Sequence, residues 1–431
     1  MRSWNLKRKT TAGIATLFLM SGIVPVAVAE EQIEEEASQE EEQAQEEEEL
    51  IETLTLEDAI QYAMDENTSL LLLDYRLQHL QSQVNELNHE QRDLSRDIED
   101  LEDSMSDLRD KQRETGQNTF QTRYQIQQQI DQLEDTLEEL EDAYKELTSN
   151  QVSFEYQQEE AEESTKLATT STFMGIVMKE EQLSFLKKAL ETEQQRVKNA
   201  QKRYEIGVDS RNDFHTAQRE LTRMKFEIEQ LEREIENDVS AFALDIGIVY
   251  HPDLQLEPPS VEELTIIEQE IDTEELIENS YQMKQAKEAL ALAEYNQEQA
   301  YEDSDASSYE REQADLQVQI EKENINQLKM DLTNAIDELF LEAAQQYDAV
   351  MNARYELDYA EEDTYFLSRQ WEVGLLPKAE YELAQLQVEQ AQFEYDMAKY
   401  QYFLLAQQIE SLKNGIIPTS TGNGGRNGFS L

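Results

Sequence analysis

The sequence has no cysteine, which excludes disulfides, thiolate metal sites and a lipid-modified cysteine. It has four histidines, His79, His89, His215 and His251, and none stands at HxxH, HxxxH or HExxH spacing from another. A zinc-type ligand set is therefore missing. Glycine-rich phosphate loops and the GxSxG elbow are missing too. Carboxylates are so evenly spread that no pair stands out as an acid–base couple, and an enzyme is not expected. Basic residues are scarce, 36 against 95 acidic ones, for a formal net charge of −59. Such a charge repels a phosphate backbone, so nucleic acid is excluded as a partner, and it opposes docking on an anionic membrane surface. After the first 30 residues no run is long and apolar enough to span a bilayer as a helix. Only 6 prolines and 12 glycines punctuate the 431 residues, which leaves room for very long helices.

What the chain does have is heptad rhythm. Leu73, Leu77, Leu80, Val84, Leu87, Leu94, Ile98, Leu101, Met105 and Leu108 lie on one seam, and Ile130, Leu133, Leu137, Leu140, Tyr144 and Leu147 on another. Gly116 separates them, so two antiparallel helices with a turn there are predicted. Gln151 to Tyr156 alternates and reads equally as a short strand or as helix continuing through a stutter. Asn67-Thr68-Ser69 marks an interruption near the start.

The rhythm resumes on both sides of Tyr204-Glu205-Ile206-Gly207-Val208-Asp209-Ser210. Glycine can take a positive φ and end a helix, and Asp209 or Ser210 can cap the next. A sharp hairpin tip is predicted. The pattern recurs at a constant offset of 167 residues as Trp371-Glu372-Val373-Gly374-Leu375-Leu376-Pro377, with Pro377 where the returning helix would begin. Upstream, Leu56 to Ile60 matches Thr273 to Ile277 at an offset of 217. The chain therefore reads as two copies of one helical unit, the first longer by 50 residues. The fold class is all-α: long antiparallel coiled-coil hairpins in two pseudo-repeated halves.

The expected layout runs from a signal peptide at 1–29 through an acidic, disordered leader at 30–53 to the first repeat at 54–257, with an extra coiled-coil hairpin at about 87–150. The second repeat is expected at 258–415 and a flexible tail at 416–431. Arg2, Lys7, Arg8 and Lys9 form a basic start, Ala12 to Val26 an apolar core, and Ala27-Val28-Ala29 a cleavage pattern. Cleavage there would export the chain.

In this order and spacing, LTLEDAIQYAMDENTSL, the tips YEIGVDSRNDF and WEVGLLPKAEY, and the connector LQLEPP resemble the TolC family of outer-membrane efflux ducts across most of 54–415. The resemblance implies a homotrimer whose helices form a hollow cylinder. It also implies export together with an adaptor (membrane fusion) protein and an inner-membrane transporter, with no cofactor and no catalysis. It assigns adaptor contact to Ile206, Gly207, Val208, Val373, Gly374 and Leu375. It places Glu380 in an acidic ring that narrows the duct, although Leu383 stands where a second acid would. The family's membrane-spanning strands have no counterpart here: Leu87 to Leu147 and the turn near Ser307 fill those places and cannot line a lipid-facing barrel. A TolC-like helical body without a barrel is therefore expected, standing in the extracytoplasmic envelope. The alternative is a coiled-coil scaffold of the cell wall without transport activity. The pattern fixes neither the oligomeric state nor the exported molecule.

Overall fold

The computed structural model describes residues 51–261, 264–304 and 306–418. The signal-peptide reading lies outside the described residues, as do most of the acidic leader and residues 419–431. Among the described residues there are eight α-helices and two three-residue strands. The first half comprises β1 (Thr53–Thr55), α1 (Leu56–Asp65), α2 (Thr68–Thr115), α3 (Phe120–Glu205), α4 (Arg211–Asp245) and β2 (Gln255–Glu257). The second comprises α5 (Thr273–Asn279), α6 (Tyr281–Glu302), α7 (Ser308–Glu372) and α8 (Lys378–Lys413). No helix among the described residues is long and apolar enough to cross a membrane.

α3 settles the ambiguous patch at Gln151 to Tyr156 as helix. At 86 residues it is about 130 Å long at ~1.5 Å per residue. Its alternating apolar residues are absorbed because α6 packs along this stretch. Lys284 lies over the Tyr156 ring, and Gln285 donates to Glu160 at 3.1 Å. The helical stretch from Thr273 to Glu302 is cut at Ser280, whose φ of −65° and ψ of 142° are extended. Its hydroxyl donates to the Ile277 carbonyl (2.7 Å) and accepts from the Met283 amide (3.2 Å). One side chain thus closes α5 and opens α6. Asn67 opens α2 by accepting from the Ser69 and Leu70 amides.

Each half has the same course: a short helix, a break, a long helix out, a long helix back through to a tip, and a return. The return helices end alike. Gly247 after α4 has φ +79° and Gly415 after α8 has φ +98°. Each forms the paired bonds of a Schellman motif, Gly247 to Leu244 with Ile248 to Ala243, and Gly415 to Leu412 with Ile416 to Ser411. Each also sits against the break of its own half. A Cβ on Gly247 would lie 2.5 Å from the Glu66 Cβ, and one on Gly415 would lie 3.0 Å from the Asn279 carbonyl.

The core gathers at these roots. In the first, Ala59 and Ala63 of α1, Phe173, Met174 and Val177 of α3, and Phe242 and Ala243 of α4 are buried together. In the second, Leu276, Met283, Leu332, Ile336, Ile409 and Leu412 are joined by Ile417. Ile417, within the stretch expected to be a tail, is thus part of the core. β1 and β2 pair in parallel, Thr53 with Gln255 through Thr55 with Glu257, and tie the connector to the start of the repeat. Further on, Tyr402 of α8 holds the segment that leads to α5, donating to the Thr265 carbonyl (2.6 Å) and accepting from the Ile267 amide (3.1 Å).

Candidate functional site: the paired hairpin tips

Both glycine turns exist, and they are nearly superimposable in their bonding. At the first, α3 ends in a Schellman motif: the Gly207 amide donates to the Tyr204 carbonyl at 3.0 Å and Val208 to Arg203 at 2.8 Å. At the second, Gly374 donates to Trp371 at 2.9 Å and Leu375 to Gln370 at 2.8 Å. The glycines have φ of +79° and +78°, a region side chains disfavour. Each turn is closed at its base by a stacked aromatic pair at matched positions. Tyr204 and Phe214 have ring centroids 5.8 Å apart, and Trp371 and Tyr381 5.0 Å apart, each pair tilted by 7°.

The two turns differ in how the returning helix starts. Ser210 and Asp213 form a capping box: Ser210 Oγ accepts from the Asp213 amide (3.2 Å), and Asp213 accepts from the Ser210 amide (3.1 Å) and hydroxyl (2.8 Å). These bonds from the Ser210 hydroxyl and amide hold the Asp213 carboxyl below its ordinary range. Arg203 pairs with Asp209 at 2.9 Å. In the second turn Pro377 occupies the cap position with φ −63°, ψ 144° and no side-chain bond.

A Schellman motif normally folds an apolar residue just after its glycine back onto the helix. At the first root this happens, since the partly buried Ile248 packs on the core. At the tips it does not. Val208 is 63% exposed and Leu375 77%, and the residues before the glycines, Ile206 and Val373, are 76% and 69% exposed. One device therefore has two outcomes: an apolar side chain packed on the core at the first root, and apolar side chains presented to solvent at the tips. Glu380 lies in the first turn of α8 and is exposed, with Leu383 also exposed nearby.

The helices behind the tips form an open layer. α4 packs on α3, α3 on α8, and α8 on α7. Phe185 and Phe393 stack across the α3–α8 seam with centroids 5.2 Å apart, and Lys188 bonds Glu389 beside them. Lys179 bridges Glu234 (2.5 Å) and Asp238 (2.7 Å) between α3 and α4. Partial burial works against its charge, and the two carboxylates outweigh that and raise its pKa. Among the described residues, nothing covers the far faces of α4 and α7 toward the tips. On α4 the face opposite Ala217, Ile228, Leu231 and Ile235 carries Arg219, Arg223, Phe226, Arg233 and Leu244, all exposed. On α7 the face opposite Ala343, Val350 and Leu357 carries Leu341, Asp348, Tyr355, Glu356, Tyr359, Glu362, Asp363 and Phe366, all exposed. Sequence reading did not find these faces. The signal was there, as Arg219, Arg223 and Arg233 four and ten residues apart on α4, and Asp348, Glu356 and Asp363 eight and seven apart on α7.

No protein-family model matches the sequence, and no curated protein matches it. Solved structures do match. CusC, studied for folding and transmembrane channel formation, aligns with a TM-score of 0.59 and 11% identity over 84% of this chain and 92% of that one. The chain has a TolC-like fold. A membrane protein from Pseudomonas aeruginosa aligns as well, with a TM-score of 0.59 and 11% identity, over 84% and 90% of the two chains. The open state of the MtrE outer membrane channel of Neisseria gonorrhoeae gives 0.52 and 13%, over 84% and 89%. At such identities the likeness is one of fold, carried by the helical course. Within that TolC-like body the described strands amount to β1 and β2 alone.

Proposed function

We propose that the protein is a non-enzymatic TolC-like component of an export or efflux assembly in the cell envelope. It serves as a helical conduit or spacer and docks a partner hairpin on its two tips. The observation that carries this reading is the matched pair of turns, each ordered by its own hydrogen bonds and each holding two apolar side chains in water. Isolated apolar residues on a surface need no explanation, but the same pair at the same two places in both halves marks a contact surface. Solved structures of this fold include proteins described as outer membrane channels, which agrees with the reading.

Burying a Val or Leu side chain is worth about 1.5–3 kcal/mol. Val208→Asp with Leu375→Asp is therefore expected to weaken docking by at least roughly tenfold. The measurement is ethidium accumulation in cells carrying the variant as the sole copy. Accumulation should match that of cells lacking the gene, with helical content and solution mass unchanged. Unaltered accumulation, in cells where deletion itself raises it, would sink the tip assignment. A second reading, an envelope scaffold without transport, draws on the long α2–α3 hairpin. It is favoured if deletion leaves accumulation unchanged and disturbs cell shape instead.

A homotrimer of this chain, as its resemblance to the TolC family implies, would have its seam in the exposed faces of α4 and α7. The first is basic and the second acidic, and both carry exposed aromatics. The Lys187–Glu232, Lys188–Glu389 and Thr364–Ala384 contacts fix the relative heights of the helices. In a level ring, Arg233 of one copy then meets Glu356 of the next, and Arg223 lies within about one turn of Asp363. Exposed pairs contribute only ~0.2–1 kcal/mol each. Arg223→Glu with Arg233→Glu should nonetheless weaken self-association roughly tenfold in sedimentation velocity at low salt. Adding Glu356→Lys and Asp363→Lys should restore it. A quadruple variant no better than the double would place the seam elsewhere.

A further inference from the structure

The α2–α3 hairpin runs on past the other described helices. Tyr295 near the end of α6 bonds Asp142 at 3.0 Å, and α6 stops at Glu302. About 15 more residues of α3, roughly 20 Å of helix, lie beyond that level. The end so projected is well ordered. Gly116 has φ +70° and its amide donates to the Gln112 carbonyl at 3.0 Å. The Thr119 hydroxyl lies 3.0 Å from Gln112 Oε1 and 3.2 Å from the Leu108 carbonyl. Arg123 donates to Gln112 Oε1 at 2.8 Å.

The chemistry of this end departs from the rest of the chain. From Asp131 to Glu163, α3 carries thirteen acids and one lysine. From Thr115 to Ile130 there is no acid at all, while Arg109, Lys111, Arg113 and Arg123 stand near Asp107, Asp110 and Glu114, with Arg113 paired to Asp110 at 3.3 Å. From Asp107 to Ile130 four basic groups stand against three acids, a formal charge of +1 in a chain of −59. At physiological ionic strength charges are screened over about 8 Å, so most of the acidic shaft does not cancel the end. Two aromatic rings sit on it in the open, Phe120 at 66% and Tyr124 at 57% exposure. They stack with centroids 6.4 Å apart and planes 16° apart. Around them are amides and hydroxyls, among them Gln117, Asn118, Gln121 and Thr122, and no exposed aliphatic residue.

We propose that this end binds an acidic polysaccharide, with the Phe120–Tyr124 rings against sugar faces and Arg109, Lys111 and Arg113 against its carboxylates or phosphates. Flat rings ringed by amides suit sugars, which offer C–H faces and hydroxyls together. A membrane-inserting end would need a wider aliphatic face, and a protein contact a pocket or apolar anchor surrounded by further apolar surface. The proposal is independent of what the opposite tips do.

The test is affinity electrophoresis of the full chain in native gels containing a polyuronate, with gels containing neutral dextran beside them. The polyuronate should retard the wild type and dextran should not. Phe120→Ala with Tyr124→Ala, and separately Arg109→Gln with Lys111→Gln and Arg113→Gln, should each weaken retardation at least fivefold. Phe120→Trp should preserve it. Because these side chains are exposed, thermal unfolding followed by circular dichroism should be unchanged. The proposal is overturned by an unretarded wild type, by equal retardation in dextran, or by variants that bind as well as wild type. Co-sedimentation with phosphatidylglycerol vesicles in place of polyuronate binding would instead identify a membrane-contacting end. A fall in solution mass on aromatic substitution would identify a contact between copies.

Discussion

Replacing Phe242 by alanine is expected to destabilise the first root by about 4 kcal/mol, the middle of the range for deleting a buried phenylalanine. The side chain is 2% exposed and meets Phe173, itself fully buried, edge to face with centroids 6.1 Å apart. It sits where α1, α3 and α4 converge, and α3 cannot collapse into the gap because it continues for many turns in both directions. The loss should show as local opening. Amide exchange around Phe173 to Val177 should quicken by roughly a thousandfold, since each 1.4 kcal/mol is a factor of ten. Amides near Gly116, far along the same helix pair, should be unaffected. A uniform change along α3 would mean that the root is not a separate cooperative unit.

Gly247→Ala is expected to cost about 3 kcal/mol, and Gly207→Ala only about 1. Both glycines have φ +79°, so both variants incur the left-handed backbone penalty of roughly 1–2 kcal/mol. They differ in their surroundings. The new Cβ at Gly247 would lie 2.5 Å from the Cβ and 3.0 Å from the Cγ of Glu66, whereas nothing lies within 4 Å of it at Gly207. A Cβ–Cβ overlap cannot be relieved by rotating a side chain, so the end of α4 or the α1–α2 break must move. Urea midpoints of the two variants at unchanged slope measure the difference. Equal midpoints would contradict the close approach of α4 to that break.

The tips were the most legible part of this structure, because everything that makes them is local. A glycine, flanking aromatics and a cap lie within eleven residues and recur at one offset. The long helices were legible for a similar reason: seven-residue rhythm is written along the chain. The break at Ser280 was not, since a single serine does the work of both caps and the apolar pattern continues across it. The match of Gly415 to Gly247 was hidden by the Gly- and Ser-rich composition that follows. Its meaning lies in Asn279, far away in sequence. β1 and β2 are three residues each and exist only as a pair some 200 residues apart. The α4 and α7 faces needed the fold first, since only the helix order shows that both are left uncovered.

The account stands or falls on the tips as a docking surface. The most direct measurement places a photo-crosslinking residue at Val208, at Leu375 and, as a control, at the exposed Tyr309 on α7 in living cells, and identifies what is captured. The account predicts that both tips capture the same envelope protein, one with an extended helical hairpin, and that Tyr309 does not. Capture of nothing by either tip, or of the same proteins by tip and control alike, would contradict it.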